Sequence, residues 1–376
     1  MNGKNNVTIR TLNGTQYFKN QRFISKGNSS FSFAFLDTAC SLVGQQNGYQ
    51  SKGILELMSN YACKLSYEET SKLLERFTGK HVYTASQIQN KVVALEPLVS
   101  THLESMYNNQ QLSFNFTETN KDILYNKDAK EICYFDDGIG VTKQKEKRQD
   151  ANYEKEGKYV QTDVVLIQNP DDSYHYFSEN KQIKSGLDLE SQISCHLSVV
   201  YKPTNGILPF VAITDGARSI RCRIERLFGK GAIVILDWYH LKKKIWQYMS
   251  RLGQGKVKKE QHAHQVLWYL WHGWVTEALI YMEQKIHVIT FRKPILEELQ
   301  NYILKHEHEI IDYDTRWRFA GKAIGSGRGE KGNDQIVAIR QKHNGKSWSE
   351  EGSHAMTTLH RLKVNKQWDL FWNKAA

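Results

Sequence analysis

The sequence predicts an α/β fold, in which a mixed β-sheet follows a helical region and is interrupted by an all-helical segment. Three apolar segments within residues 131–180 are separated by charged or turn-forming residues, as is typical of antiparallel strands. Two further apolar segments before residue 241 alternate with helical patterns, as is typical of parallel strands joined by helices. Apolar residues then recur at helical spacing throughout residues 241–319.

These patterns divide the chain into five regions, each with its own composition. They are an N-terminal lead-in (1–30), a helical region (31–125), a sheet domain (126–240), a helical insertion (241–319) and a Gly-rich, then helical, final section (320–376). The lead-in is polar, and we expect a short strand pair or a frayed segment there.

The composition is that of a basic globular protein. Its 376 residues are 40% hydrophobic and carry a formal net charge of +11. This excess favours a polyanionic partner, although charge alone does not identify one. The five cysteines form no CxxC pair, so neither a disulfide framework nor a structural zinc site is predicted. Because the chain has no apolar run of about 18 residues and no signal-peptide core, we expect a soluble cytoplasmic protein without a membrane partner.

The helical region contains two helices separated by a glycine. Ser66 and Glu69 form a capping-box pattern that opens a helix, and Thr78-Gly79 stops it. A second helix is predicted from about Ser86. This outline fits a DNA-binding helix-turn-helix and also a plain helical hairpin. In the DNA-binding interpretation, the contacting side chains are Lys80, His81, Ser86, Gln87, Gln89, Asn90 and Lys91.

Five strands are predicted in the sheet domain. In chain order they are EICYFDDGIGV, KYVQTDVVLIQN, SYHYFSEN, LPFVAITDGA and GAIVILDWYH. The turn residues Pro170-Asp171-Asp172 separate the second strand from the third. Helices are predicted over about 188–200 and over RSIRCRIERLF, and the charged segment 143–158 is expected to be an exposed loop.

Three of these strands end in acidic residues, at Asp137, Asp215 and Asp237. Carboxylates at neighbouring strand ends would meet at one rim of the sheet, where cations would compensate their repulsion. Oxygen ligands favour magnesium or manganese, and two such ions activate a water or a 3′-hydroxyl against a phosphodiester. The pattern therefore indicates a metal-dependent nuclease or phosphatase. The alternative is that the two Asp-Gly pairs are ordinary turns.

Three segments of the chain resemble bacterial insertion-sequence transposases of the ISKra and ISLre type. They are YFDDG, ITDGARSIRCRIERLFGKGAIVILDWYHLKKKI and IGSGRGEKGNDQIVAIRQKHNGKSWSEEGSHAM. The resemblance runs from about Leu55 to Trp372 and is most specific in the TDGA–LDWYH block and the GSGxxE segment. These transposases belong to the DDE superfamily. The resemblance implies an RNase H-like core that residues 320–376 complete, and DNA cleavage followed by strand transfer at element ends.

The resemblance also implies site residues, cofactors and partners. Asp137, Asp215 and Glu330 would hold two Mg²⁺ (or Mn²⁺) ions, and His240 would contact the scissile phosphate or order the active site. The partners would be double-stranded DNA, at terminal repeats and target, and a second copy of the chain in a homodimer. Such a protein would be associated with the nucleoid. A catalytically inactive DNA-binding descendant and a metal-dependent nuclease of the same fold are the alternatives.

Two departures from the family favour the inactive descendant. Arg328-Gly329 precedes Glu330 where the family usually has an apolar residue, and Gly332 follows it. Two glycines cost helix stability at the position where the carboxylate must be held. Relatives often carry more N-terminal sequence, sometimes with cysteine pairs.

Several other residues compete for a role. Asp136 rivals Asp137 as first ligand, but side chains alternate across a strand, so only one should face the site, and we favour Asp137. Glu350 and Glu351 are expected to cap or solvate a helix. Residues that contact DNA phosphates, or form only a solvated basic surface, are Lys242, Lys243, Lys244, Arg218, Arg221, Arg223 and Arg226. Residues expected in the core or on the surface of the insertion are His262, His264, His272, Trp268, Trp271 and Trp274.

Overall fold

The computed structural model describes most of the chain, in eight ranges. These are residues 4–25, 28–40, 49–106, 120–145, 157–183, 186–200, 209–343 and 345–374. Most of the charged segment 143–158, for which we predict a loop, lies outside them. None of the helices in these ranges is long and apolar enough to cross a lipid bilayer.

A small sheet forms the N-terminal part, where a strand pair or a frayed lead-in was expected. Strands β1 (Lys4–Thr11), β2 (Gly14–Ser25) and β3 (Asn28–Ala34) pair antiparallel, and β4 (Tyr49–Gln50) pairs parallel with β1. A short helix, α1 (Phe35–Ala39), follows β3. The third strand occupies residues in which helical periodicity was expected to begin.

Three helices follow: α2 (Lys52–Ala62), α3 (Tyr67–Thr78) and α4 (Ala85–Ser105). The capping box predicted at the start of α3 is confirmed, since Ser66 Oγ accepts from Glu69 N at 3.1 Å and Glu69 Oε2 accepts from Ser66 N at 2.8 Å. Gly79 ends α3 with a φ of +69°, a backbone conformation that favours glycine.

The central sheet has five strands in the order β7-β6-β5-β8-β9. Strands β5 (Ile132–Thr142), β6 (Tyr159–Gln168) and β7 (Tyr174–Asn180) are antiparallel neighbours. Strands β8 (Phe210–Thr214) and β9 (Ala232–Leu236) pair parallel with β5 and with each other. Helices α5 (Leu189–Val200) and α6 (Arg218–Phe228) lie on one face. The predicted mixed sheet is confirmed, except that β5 continues beyond its two aspartates to Thr142.

After β9 the described chain is helical as far as residue 319. The helices are α7 (Trp238–Arg251), α8 (Lys256–Trp271), α9 (Val275–Tyr281, continued by a π-helical turn) and α10 (Lys293–Lys305). Their apolar faces share a core with Phe135, Ile213 and Ile235 of the sheet. Arg316, fully buried at 0% exposure, contacts Glu131 just before β5, so the end of this helical segment is tied to the first core strand.

The final section returns to the sheet and also covers the N-terminal helices. Helix α11 (Gly327–Asn333) continues through a π-helical turn into α12 (Ile339–Gln341), and α13 (Glu350–Val364) and α14 (Trp368–Lys374) follow. Helices α4 and α13 pack along each other and share one apolar core with the far end of β5. Helix α4 is therefore part of the main body of the protein.

Candidate active site

The strand register aligns three aspartates at one edge of the central sheet. Phe135 of β5 lies opposite Ile213 of β8, and Thr214 lies opposite Leu236 of β9. Continuing this register places Asp137, Asp215 and Asp237 in one row, just beyond the carboxyl ends of the two short strands. The convergence expected from the apolar segments is therefore present, although Asp137 lies within a longer strand.

Asp136 and Asp137 point to opposite faces of β5, as alternation along a strand requires. The Asp136 carboxylate is only 4% exposed and accepts hydrogen bonds from Tyr134 Oη at 2.8 Å and Arg223 at 2.6 Å. Arg223 also donates to Asp163 of β6 at 2.5 Å, so the guanidinium bridges two strands beneath the sheet. Arg223, a candidate phosphate contact in the sequence, is thus engaged in this internal network.

Asp137 lies on the face that carries Glu330. Its Oδ1 accepts from Gly138 N at 2.8 Å, and its Oδ2 accepts from Asn333 Nδ2 at 2.7 Å. Burial raises the pKa of the Asp137 carboxyl, and the negative charges of Asp215 and Glu330 raise it further. Asp215 and Glu330 therefore lie near enough to act on Asp137 electrostatically.

Asp215 lies in a turn that only glycine can complete. Its Oδ1 accepts from Ala217 N at 2.8 Å, and Gly216 has a φ of +83°. A Cβ atom at Gly216 would lie 2.6 Å from Cε1 of His306, so the insertion packs directly on this turn. His306 is held in place by Glu309, whose Oε2 lies 2.6 Å from its Nδ1 and whose other oxygen contacts Arg221.

Asp237 is buried and holds several groups of the site in place through hydrogen bonds. It caps α7 by accepting from Tyr239 N at 2.6 Å and His240 N at 3.2 Å, and it accepts from Ser326 N at 2.7 Å. Its Oδ2 also lies 3.1 Å from Nδ1 of His240. Although burial opposes it, the hydrogen bonds from His240 and Ser326 lower the pKa of Asp237. One carboxylate thus fixes His240 and the loop that leads to Glu330.

His240 faces the carboxylates. Its hydrogen bond to Asp237 raises the pKa of the imidazole against the opposing effect of burial, and the charges of Asp237, Asp215 and Glu330 raise it further.

Glu330 is exposed on α11. Packing against the sheet explains the two glycines around it, Gly329 and Gly332. A Cβ atom at Gly329 would lie 3.1 Å from Cβ of Phe135, and one at Gly332 would contact the Tyr176 ring at 3.4 Å. Both glycines are buried against the sheet. The expectation that they only weaken the helix was incomplete, because they let α11 pack closely on β5, the strand that carries Asp137.

The donor set suits a hard divalent cation, since it consists of carboxylate oxygens that repel one another. In the described part of the chain, however, no three His, Cys, Asp or Glu side chains already form a group able to hold a metal ion. Asp137 and Asp215 instead accept hydrogen bonds from Asn333 and from Ala217 N. The residues therefore fit a metal by their chemistry, and ligation would require rotation of these side chains.

The remaining residues predicted to contact DNA differ in how exposed their side chains are. Lys242 and Lys243 are exposed on α7, and exposed Arg218 lines a cavity of about 560 Å³ together with Arg221. Lys80 is exposed, whereas the Gln87 side chain caps α4 by accepting from Thr84 N at 3.1 Å.

Lys91 differs most from the prediction that it contacts DNA. It is only 8% exposed, and burial lowers its pKa. Helical spacing located it on α4 correctly, but packing turns its side chain inward, so it is not available to a phosphate here.

The other candidates have structural roles. Glu350 pairs with Lys143 at 2.9 Å at the start of α13, and His262 lies 2.8 Å from the Tyr281 hydroxyl. Trp271 packs in the insertion core and donates to Asp314 at 2.6 Å, whereas Trp268 and Trp274 are about half exposed.

Three residues at the site were missed from the sequence. Asn333 follows Glu330 by three positions, which is one helical turn, so its place beside the carboxylates could have been predicted. Ser326 and His306 could not have been predicted. The contact of Ser326 with Asp237 and that of His306 with Gly216 depend on how the insertion folds back onto the sheet.

Comparison with known proteins assigns the chain to no group. A scan against protein-family models found no match, and a search of curated proteins found no similar protein. The functional proposal therefore rests on the carboxylates and the elements that hold them.

Proposed function

We propose that this protein is a DDE transposase with an RNase H-like core, which cuts double-stranded DNA at the ends of an insertion element and joins the freed ends to target DNA. The observation that carries the proposal is the row of Asp137, Asp215 and Asp237 at one rim of the sheet, with Glu330 and His240 contributing to the electrostatics of that rim. The strand order β7-β6-β5-β8-β9, with three antiparallel strands followed by two parallel ones, supports the RNase H-like assignment.

In this function Asp137, Asp215 and Glu330 would hold two magnesium or manganese ions. The bound ions would neutralise phosphate charge and lower the pKa of the attacking water or 3′-hydroxyl. Asn333 holds the Asp137 carboxylate through its amide, and this hydrogen bond would give way when Asp137 binds an ion. Asp237 fixes Nδ1 of His240, which leaves Nε2 to donate to a phosphate oxygen. Hydrolysis frees a 3′-hydroxyl that attacks the target phosphodiester, with no covalent bond to the protein.

Such a protein would act on nucleoid DNA in the cytoplasm, with two copies pairing two element ends. One observation favours a second candidate, a transposase-derived DNA-binding protein that no longer cleaves. It is that the described carboxylates do not already form a metal-holding group.

Cleavage of the gene's own flanking DNA tests the proposal. A labelled duplex carrying these flanks is incubated with Mg²⁺ or Mn²⁺ and wild-type protein, Asp215→Ala, Asp137→Ala or Glu330→Ala. We expect each variant to lose more than about 100-fold in rate, above the roughly 10- to 100-fold effect of a residue that only orients a ligand. Glu350→Gln is the control, because Glu350 pairs with Lys143 outside the site, and it should cleave like the wild type.

Equal cleavage by the wild type and Asp215→Ala would contradict the catalytic assignment. Tight DNA binding by a wild type that does not cleave would support the second candidate. Cleavage without joining of ends would identify a nuclease of the same fold.

A further inference from the structure

An open groove of about 870 Å³ runs along the exposed side of α7. It starts at Tyr239, which directly precedes His240, and ends at Arg251 near the end of the helix. The buried residues of α7, such as Leu241 and Ile245, face the opposite way into the insertion core. Residues that line the groove include Tyr239, Lys242, Lys243, Trp246, Tyr248 and Arg251.

The groove is strongly basic. Its lining residues include three lysines and Arg251 but no acidic residue. Among the described residues, Lys242 and Lys243 form no ion pair, whereas Arg251 lies 3.5 Å from Glu298. The two lysines nearest the carboxylates are therefore available to an anionic ligand.

Aromatic rings alternate with these charges. Tyr239 is 58% exposed, and its ring packs so closely on Gly325 that a Cβ atom there would lie 2.5 Å from Cδ2. Trp246 contacts the His264 ring of α8 edge to face at 5.3 Å. A large ring that is exposed yet held against a glycine is a preorganised surface for stacking.

We propose that this groove, called the α7 groove, binds single-stranded DNA next to the cleavage site, with Tyr239 stacking on a base and Lys243 contacting the backbone. The inference rests on the proposed function for the identity of the DNA. Bases within a duplex stack on each other and offer a protein surface mainly phosphates. A groove that alternates aromatic rings with lysines instead matches the requirements of an unpaired strand.

Fluorescence anisotropy in EDTA tests the proposal without any cleavage. The probes are labelled oligothymidylate and a labelled duplex of the same length. Tyr239→Ala should weaken oligothymidylate binding by about 5- to 150-fold, the range for loss of one base stack, while duplex affinity stays unchanged. Tyr239→Phe retains the ring and should bind like the wild type. Tyr159→Ala is the matched control, because Tyr159 is 53% exposed on β6 outside the groove.

The salt dependence provides a second measurement that does not disturb the Gly325 contact. Lys243→Gln should reduce the slope of log K against log [salt] by about 0.7 for the single strand, as expected for the loss of one phosphate contact. Lys127→Gln, an exposed lysine before β5, should leave the slope unchanged.

The outcomes separate this inference from the proposed function. Equal oligothymidylate affinity of Tyr239→Ala and wild type, or equal losses on duplex and single strand, would overturn the α7 groove assignment whatever the cleavage result. The same holds if wild-type protein does not bind oligothymidylate, which would leave the groove to a protein partner. If Tyr239→Ala loses affinity for oligothymidylate in a protein that never cleaves DNA, the α7 groove assignment stands and only the catalytic function is rejected.

Discussion

Glycine sets how closely the helix that carries Glu330 approaches the central sheet. At Gly329 a methyl group would meet Cβ of Phe135 at 3.1 Å, whereas at Gly327, in the same helix, nothing lies within 4 Å. The two residues have the same intrinsic helix propensity, so their different surroundings isolate the effect of packing.

Substituting these two glycines should change stability in opposite directions. Gly329→Ala should lower the free energy of unfolding by about 1–3 kcal/mol, because the added methyl overpacks the contact with β5. Gly327→Ala should raise it by about 0.4–1 kcal/mol, through the reduced freedom of the unfolded chain. Urea unfolding of both variants measures the difference. If Gly329→Ala proved as stable as Gly327→Ala, the close packing of α11 on β5 would be wrong.

Among the elements, α13 of the C-terminal section packs against the N-terminal helices. His360 of α13 donates from Nε2 to the carbonyl oxygen of Cys63, which follows α2, at 2.9 Å. Burial lowers the pKa of His360 to about 4, and the positive charges of Lys363 and Arg340 act in the same direction. The folded protein therefore holds this imidazole neutral at a pH where an unfolded chain protonates it.

The burial of His360 predicts a loss of stability in mild acid. An unfolded histidine takes up a proton near its usual pKa of about 6.5, whereas folded His360 does so only near about 4. The stabilisation is complete above about pH 6.5 and is lost as the pH falls toward 4. Between pH 7 and pH 5 the contribution of His360 should fall by about 2 kcal/mol. Urea unfolding of wild type and His360→Gln at both values measures it, and an equal pH dependence in the two proteins would contradict the prediction.

The limits of prediction from the sequence are clearest for the elements. Runs of apolar residues predicted the five sheet strands, of which β8 is buried throughout, and helical spacing predicted α5 and α6. The end of β5 was placed too early because Asp136 and Asp137 resemble a turn. In the folded protein Arg223, distant in the chain, neutralises Asp136 and lets the strand continue. Likewise, nothing local to α4 indicates that tertiary packing buries Lys91, and the site residue His306 depends on the path of the insertion.

For the whole molecule, the helical insertion packs directly on the central sheet. Phe135, Ile213 and Ile235 share a single apolar core with buried residues of α7–α10. The buried Arg316 guanidinium additionally donates to the carbonyl oxygens of Leu124 at 3.1 Å and Ala323 at 2.7 Å. Separating the insertion from the sheet would expose this core to water and leave the Arg316 guanidinium without its partners.

Hydrogen exchange should therefore report one opening free energy for both parts. Peptides from α8 and from β8 are expected to exchange through the same global unfolding, within about 1 kcal/mol. Among the described side chains of the small sheet β1–β3, none belongs to that core, and this sheet should exchange at lower free energy. Mass spectrometry across a urea series measures these values. Faster opening of α8 than of β8 would mean that the insertion unfolds on its own.

The packing of α4 against α13 and α14 also has a consequence during synthesis on the ribosome. Leu103 at the end of α4 and Trp372 of α14 belong to one core, yet roughly 270 residues separate them in the chain. At about 5–20 residues per second, α4 waits roughly 13 to 54 s for the segment that covers it. During that time the nascent chain presents an apolar helix face without its partner. Such a chain is a natural client for a ribosome-associated chaperone, and a truncated message would release a protein that cannot close this core.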